Sequence, residues 1–318
     1  MEAVLSASAR VERVGFAKRL IISAANVVFL LLLAELLLPV PGEEVPVYLL
    51  IVAGALEFAY LLRVSLAGPG KGSIAAGDVA AIVFGVLVAW HLATTRFVLL
   101  DQMLFPKPEP VLRLFVTELP DMLKGLVNSL ILLVSGYLIA LATGIPLGLV
   151  VGWRTRLFNA VHPFTKVLGP IPPIVYIPYA IALLPSFRAA SIFVIFIGAF
   201  WPVFINTVNG VFNIPKGLID SARVLNLPER TLLFRVILPG AMPYICTGAT
   251  LGLVFSLVLL TAAELIGANS GIGWYVKNFA DFADYQRVVV GIIFISIVVT
   301  IITWGTERVE RRLLRWRN

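Results

Sequence analysis

The sequence predicts an all-α protein that crosses a membrane about eight times, and three observations predict it. Mean hydropathy is +0.97, and only 14% of the 318 residues are charged against 59% hydrophobic. A soluble domain carries about 25% charged residues because its exterior must face water. Apolar runs without charge recur at 126–152, 167–187, 189–212, 240–263 and 288–305, close to or above the roughly 20 helical residues that cross a hydrocarbon layer. Basic residues gather between the runs on alternate sides, as the positive-inside rule requires.

Taken in order, Arg10, Arg13, Lys18 and Arg19 precede the first apolar run, 20–39. That run exceeds a signal-peptide core and ends in LLLPVPGEE without a small-x-small cleavage site, so it reads as a retained span. The second run, 46–62, contains Glu57, which needs a partner such as Arg63 or a proton; Glu35 and Glu57 are expected to serve packing rather than substrate contact. The Gly-rich link LAGPGKGS lacks the Ser or Thr that follows the lysine of a phosphate loop, and is expected to be a plain turn. The third run is 74–94. The stretch 109–126 spaces its apolar residues for one helical face, which predicts an amphipathic interfacial helix, and the C-terminal TERVERRLLRWRN resembles it.

Eight spans is an even number. With Arg63, Lys71, Arg154, Arg156, Lys166 and the C-terminal arginines on one side, and Glu43, Glu44, Asp281 and Asp284 on the other, both termini are expected in the cytoplasm. The net charge of +7 is spread over those loops, so the lipid bilayer rather than a nucleic acid is the expected partner. The single cysteine, Cys246, excludes an intrachain disulfide. Residues 1–73 form an extra two-span hairpin with its link, and 74–318 a six-span core.

Five prolines interrupt the fifth run: Pro170, Pro172, Pro173, Pro178 and Pro185. Each removes a backbone donor, and lipid tolerates this only where protein or a water-filled cavity satisfies the freed carbonyls. The segment is either a broken helix lining a path, with Pro172, Pro173, Tyr176 and Tyr179 upon it, or a kinked helix packed in a bundle. Asn206, Thr207 and Asn209 either line the same path or hydrogen-bond helices together. Glu264 opens ELIGANSGIGW, whose glycines suggest a re-entrant turn. It is either part of an outer gate with Asn269 and Ser270, or a structural acid bonded to that turn.

The loop after the sixth run reads NIPKGLIDSARVLNLPERTLLFRVILPGAMPYI. Pro215 can open a short helix, Asn226 can take the left-handed conformation that ends it, Pro228 opens a second and Pro239 closes that. Two short helices at a bend form a knob, and the small Ser221 and Ala222 are expected to let a partner approach the backbone. This loop resembles the coupling motif of ABC importer permeases: Glu-Ala-Ala, three residues, Gly, nine residues, Ile-x-Leu-Pro. Asp220, Ser221, Ala222, Asn226, Val236, Leu238 and Pro239 align with it at intact spacing. The departures are Asp for Glu, Ser for Ala and Asn for Gly.

The resemblance covers 78–318. LFPKPEPV, NSLILLVSGYLIALATGIPLGLVVG, PIPPIVYIP, FWPVFINTVNGV and TAAELIGANSGIGW are similar to segments of the nitrate, sulfonate, taurine and bicarbonate permease group, which also includes importers of thiamin precursors and other heterocycles. LLPSFRAAS (183–191) replaces a Gly-rich turn of the relatives. The resemblance implies a type I, MetI-like transmembrane fold in the inner membrane of a bacterium. It also implies a second permease subunit, an external solute-binding protein, and cytoplasmic ABC ATPase subunits that bind ATP and Mg. Coupling to them is expected to run through Lys216, Gly217, Asp220, Ser221, Ala222, Arg223, Asn226, Pro228 and Pro239.

Other functions fit less well. LVSGY around Ser135 lacks the leading glycine of a rhomboid-like site, Asp78 follows AAG rather than Gly-x-Gly, and His91 and His162 make no metal-binding pair. The chain is therefore not expected to be an enzyme, to bind a metal or to carry a cofactor of its own. An ion-coupled secondary transporter would also use broken helices and buried acids, but no internal repeat is visible, and the knob would have no use in it.

Overall fold

The computed structural model describes residues 23–40, 42–67 and 71–315. The basic residues of the N-terminal segment, residues 68–70 of the Gly-rich link and Arg317 lie outside them. Every regular element is helical: α1 Ala24–Leu37, α2 Val47–Ala67, α3 Lys71–His91, α4 Pro108–Trp153, α5 Thr155–Leu168, α6 Ile177–Leu183, α7 Phe187–Phe212, α8 Lys216–Val224, α9 Glu229–Leu232, α10 Leu238–Gly267, α11 Ile272–Asp281 and α12 Tyr285–Leu313. In a hydrocarbon layer a backbone must satisfy its own polar groups, and helices do so within one segment.

Among the described residues six helices are long and apolar enough to cross a membrane, or seven if one bent pair counts as a span. At 14 residues, or about 21 Å, α1 falls short of a crossing by itself. The bent pair is the proline-rich segment. It is broken, which is one of the two arrangements the prolines allowed: α5 and the stretch Pro173–Leu183 meet at 82°, with a 3₁₀ turn over Pro173–Tyr176 in that stretch. The apolar run 167–187 is thus not one rod, and α5 starts twelve residues before it.

The amphipathic stretch 109–126 is not a separate interfacial helix. It is the first part of α4, a 46-residue helix that runs through Pro120 and Pro146. Two of its acids bind protein. Both carboxylate oxygens of Glu109 accept the Tyr48 and Leu49 backbone N–H groups at 3.0 Å, capping the start of α2, and Glu118 accepts from Arg287 Nε at 2.7 Å. The C-terminal stretch likewise continues α12 as far as Leu313.

By packing, the chain divides into two units. One comprises the described residues up to Glu118 with Ala283–Val290, the other Leu119–Phe282 with the residues from Gly291 onward. The division expected at 73/74 follows sequence resemblance; across it α1 and α2 share a core with α3, built on Leu32, Leu36, Leu49, Ala53 and Phe84. In the second unit α7 packs along α10, and α4 closes on α7 through a stripe of small residues. A Cβ on Gly148 would sit 2.7 Å from Thr207 Cβ, and one on Gly152 2.9 Å from Val211 Cβ. Without a strong hydrophobic drive between helices in lipid, such close approach is what holds them.

Candidate functional site

The loop 213–239 lies wholly in the second unit. Helix α8 follows Pro215, whose carbonyl accepts the Leu218 N–H. It ends because Asn226 takes φ +47°, the left-handed conformation expected of it, while the Leu227 N–H reaches back to the Ala222 carbonyl. This is the six-to-one bond of a Schellman cap, and Leu227 and Ala222 occupy the two positions that close its hydrophobic contact. Pro228 caps α9, and Arg154 reaches the adjacent Glu229 at 2.8 Å.

Two expectations for this loop need correction. Ala222 is only 5% exposed and packs into a cluster with Leu149, Val211, Leu232, Ile237 and Ala241. Its small side chain admits the protein's own bundle, not a partner. Pro239 does not end a helix either; it lies in the first turn of α10. A wider π-helical turn, Leu233–Ile237, precedes it, with the Leu238 N–H donating to the Leu233 carbonyl. A proline ring clashes with the carbonyl four residues back in a regular helix, and the widened turn falls where that clash would occur.

The outward surface of α8 is set by other residues. Lys216, Gly217, Asp220 and Ser221 are exposed, and beside them stand Leu218, Val224 at 83% exposure and Leu225 at 71%. The Arg223 side chain is outside the described atoms. A short helix buries one apolar face through Ile219 and Ala222 and presents a second, unburied one. Exposed contiguous apolar surface rimmed by polar groups is the mark of an interaction site.

The remaining candidates fall in three places rather than around one lining. On the broken segment Pro172 and Pro173 start the 3₁₀ turn, Tyr176 is half-buried and Tyr179 exposed. On α7, Asn206 donates to the Pro202 carbonyl at 2.8 Å, a bond within its own helix, and its Cβ lies where Gly248 of α10 leaves room. Asn209 instead opens on a cleft of about 210 Å³ between α5 and α7, with His162, Thr165 and Lys166 on one side and Phe158 and Phe204 behind. Neither His162 nor Lys166 was expected at a binding site, because α5 itself was not anticipated.

The third place is the turn after α10. Glu264 is fully buried. One carboxylate oxygen accepts from Ser129 Oγ, and the other accepts the Gly273 N–H at 2.7 Å. Ser129 Oγ in turn accepts the Ile272 N–H at 3.0 Å, and Asn128 donates to Ser270 at 3.2 Å. Gly271 has φ +131°, and a Cβ there would meet Glu264 Oε1 at 2.3 Å. Glu264 is thus bonded to the turn, and Asn269 and Ser270 stand exposed on that turn. The partners Asn128 and Ser129 were invisible beforehand, since they sit in a charge-free run. Glu57, 8% exposed, makes no pair with Arg63, and its Oε2 has no hydrogen-bond partner. Glu35 pairs with Arg96 at 2.9 Å.

With this geometry in hand, similarity to known proteins is informative. Residues 144–315 match the model of the family described as binding-protein-dependent transport system inner membrane component. The chain is 37% identical over 163 residues to the nitrate import permease protein NrtB of Leptolyngbya laminosa, covering 51% of this chain and 58% of that one. It is 29% identical to the taurine transport system permease protein TauC of Escherichia coli, covering 73% and 86%. Among solved structures, an inward-facing form of the MetNI methionine ABC transporter aligns with a TM-score of 0.55 at 19% identity, over 62% of this chain and 98% of that one.

Proposed function

The chain belongs to the family of binding-protein-dependent transport system inner membrane components and is a permease subunit of an ABC importer; from that premise we propose how it works and what it carries. The α8 knob docks on a cytoplasmic ATPase that binds ATP and Mg, and the motion of that ATPase reaches the helices through the buried contacts of Ala222 and Leu227. The single observation that supports this is the double-faced α8, one side locked into the bundle and the other, at Val224 and Leu225, uncovered. Both termini lie in the cytoplasm, which puts the knob on the ATPase's side of the membrane. A second permease, of this sequence or a related one, completes the path, and an external solute-binding protein loads it.

The cargo is a small anion of the sulfonate, nitrate, taurine or bicarbonate type, or a vitamin-precursor-like heterocycle. The similarity to NrtB and TauC supports that range, and Asn209, His162 and Lys166 around the α5–α7 cleft offer polar groups suited to it. The turn at Glu264, Asn269 and Ser270 serves as the outer gate, with Glu264 as its fastening. The test is copurification with the neighbouring subunits. A nucleotide-hydrolysing subunit should come with the wild-type chain, and V224E/L225E should lose it while the permease still inserts at normal levels. Retention of the ATPase by that variant would overturn the docking proposal.

A further inference from the structure

The segment joining α3 to α4 has no place in the transport reading, and its surface is unusual. Between Arg96 and Pro106 it exposes Phe97, Val98, Leu99, Met103, Leu104 and Phe105, with Leu99 at 74%. This is a built structure rather than a slack loop. Val98 takes φ +48°, a conformation that a β-branched residue adopts only under constraint. The Phe97 and Leu99 N–H groups on either side of it donate to the Leu92 and Ala93 carbonyls at 2.9 and 2.8 Å. At the far end Trp90 Nε1 donates to the Pro106 carbonyl at 2.9 Å. The lone acid, Asp101, is exposed but folds back on the segment: its carboxylate accepts the Met103 N–H and its carbonyl the Phe105 N–H, both at 2.8 Å. Two ion pairs, Arg96 with Glu35 and Lys107 with Glu43, bracket the apolar knob.

We propose that this knob is seated in the lipid of the leaflet at the C-terminal end of α3, anchoring that end of the first unit as a monotopic insertion. The knob continues directly from a membrane-spanning segment, Gly72–Arg96, whose 25 residues cover about 37 Å. That length carries Arg96 past a hydrocarbon core of about 30 Å and into the headgroup zone. There a charged collar and an apolar tip suit a surface that buries side chains about 5–10 Å into the headgroup–acyl boundary. A soluble receptor that comes and goes is a poorer occupant, because its departure would leave the whole patch in water. Lipid is always present. On the orientation proposed above this is the outer leaflet, but the insertion does not depend on that orientation or on the transport reading.

The test is depth measurement by spin label. Cys246, the only cysteine and a buried one, is replaced by serine, and a nitroxide is attached to L99C in the assembled transporter. The complex is reconstituted in bilayers of phosphatidylethanolamine and phosphatidylglycerol, with I82C, on the exposed face of the α3 span, as the lipid standard. Collisions with oxygen should exceed those with a water-soluble nickel chelate severalfold at 99, as at 82. A label at 99 that meets the nickel chelate freely would overturn the proposal. So would a label shielded from both reagents, which would mean that a protein, either a second copy or a receptor, covers the knob. Should L99C fail to insert, M103C reads the same surface.

Discussion

Removing the Ser129 hydroxyl should damage the protein more than removing the Glu264 carboxylate that it serves, and removing both should cost less than the sum of the two. Each oxygen of the buried Glu264 accepts one hydrogen bond, while Ser129 donates its O–H to Glu264 and accepts the Ile272 N–H. Ser129→Ala leaves one oxygen of the buried Glu264 carboxyl and the Ile272 N–H without partners. Each buried polar group stranded in this way costs about 1–3 kcal/mol. Glu264→Ala removes the carboxyl together with its own desolvation penalty and strands the Gly273 N–H, at about 1–3 kcal/mol, plus a small cavity. In the double variant the stranded carboxyl oxygen no longer exists, so its loss should fall about 1–2 kcal/mol short of the sum of the two single losses, a coupling typical of residues in one network. The assay is denaturant unfolding of the purified transporter in detergent for the four members of the cycle. Strict additivity, or a double variant worse than the sum, would mean that the acid does not fasten the turn through Ser129.

Further expectations concern backbone and packing. Gly271→Ala forces a side chain into φ +131° and against the Glu264 carboxylate; it should cost about 2 kcal/mol or more, read by the same unfolding assay. Asn226→Gly should leave stability within a few tenths of a kcal/mol of wild type, whereas Asn226→Val, at φ +47°, should cost about 1–2 kcal/mol and uncouple ATP hydrolysis from transport in reconstituted vesicles. Gly148→Leu should separate α4 from α7, where even a Cβ would lie 2.7 Å from Thr207; lowered yield and a cost of about 1–3 kcal/mol are expected. Ala222→Leu should likewise lower stability, because position 222 faces the bundle core, while Leu225→Glu should leave stability unchanged.

Residues with a local cause for their conformation were legible in the sequence. The apolar runs foretold the long helices, the proline cluster the break near Pro170–Pro173, and Asn226 its own left-handed turn, because each depends on backbone chemistry within a few residues. What could not be read were contacts made at a distance. Glu109 and Glu118 made the start of α4 look like a water-facing surface, and only the fold brings Tyr48, Leu49 and Arg287 to them. Ala222 was placed on the wrong side of α8 for a related reason: a small residue admits close approach equally well from a partner or from its own bundle. Glu264 was recognised as a suspect because acids in apolar runs are costly, yet Ser129, 135 residues earlier, carried no mark of its own. The Gly144, Gly148 and Gly152 spacing did carry one, a small residue every fourth position, and could have announced the α4–α7 contact.

The docking of α8 is most directly tested by photo-crosslinking from position 225 in intact bacterial membranes, with the label on the exposed side of the helix and a second label at buried position 222. An adduct with the nucleotide-hydrolysing subunit from 225 and only an intrachain product from 222 is the expected pattern. An adduct from 225 with a protein on the external side of the membrane, or with lipid alone, would show that the knob does not receive the motor.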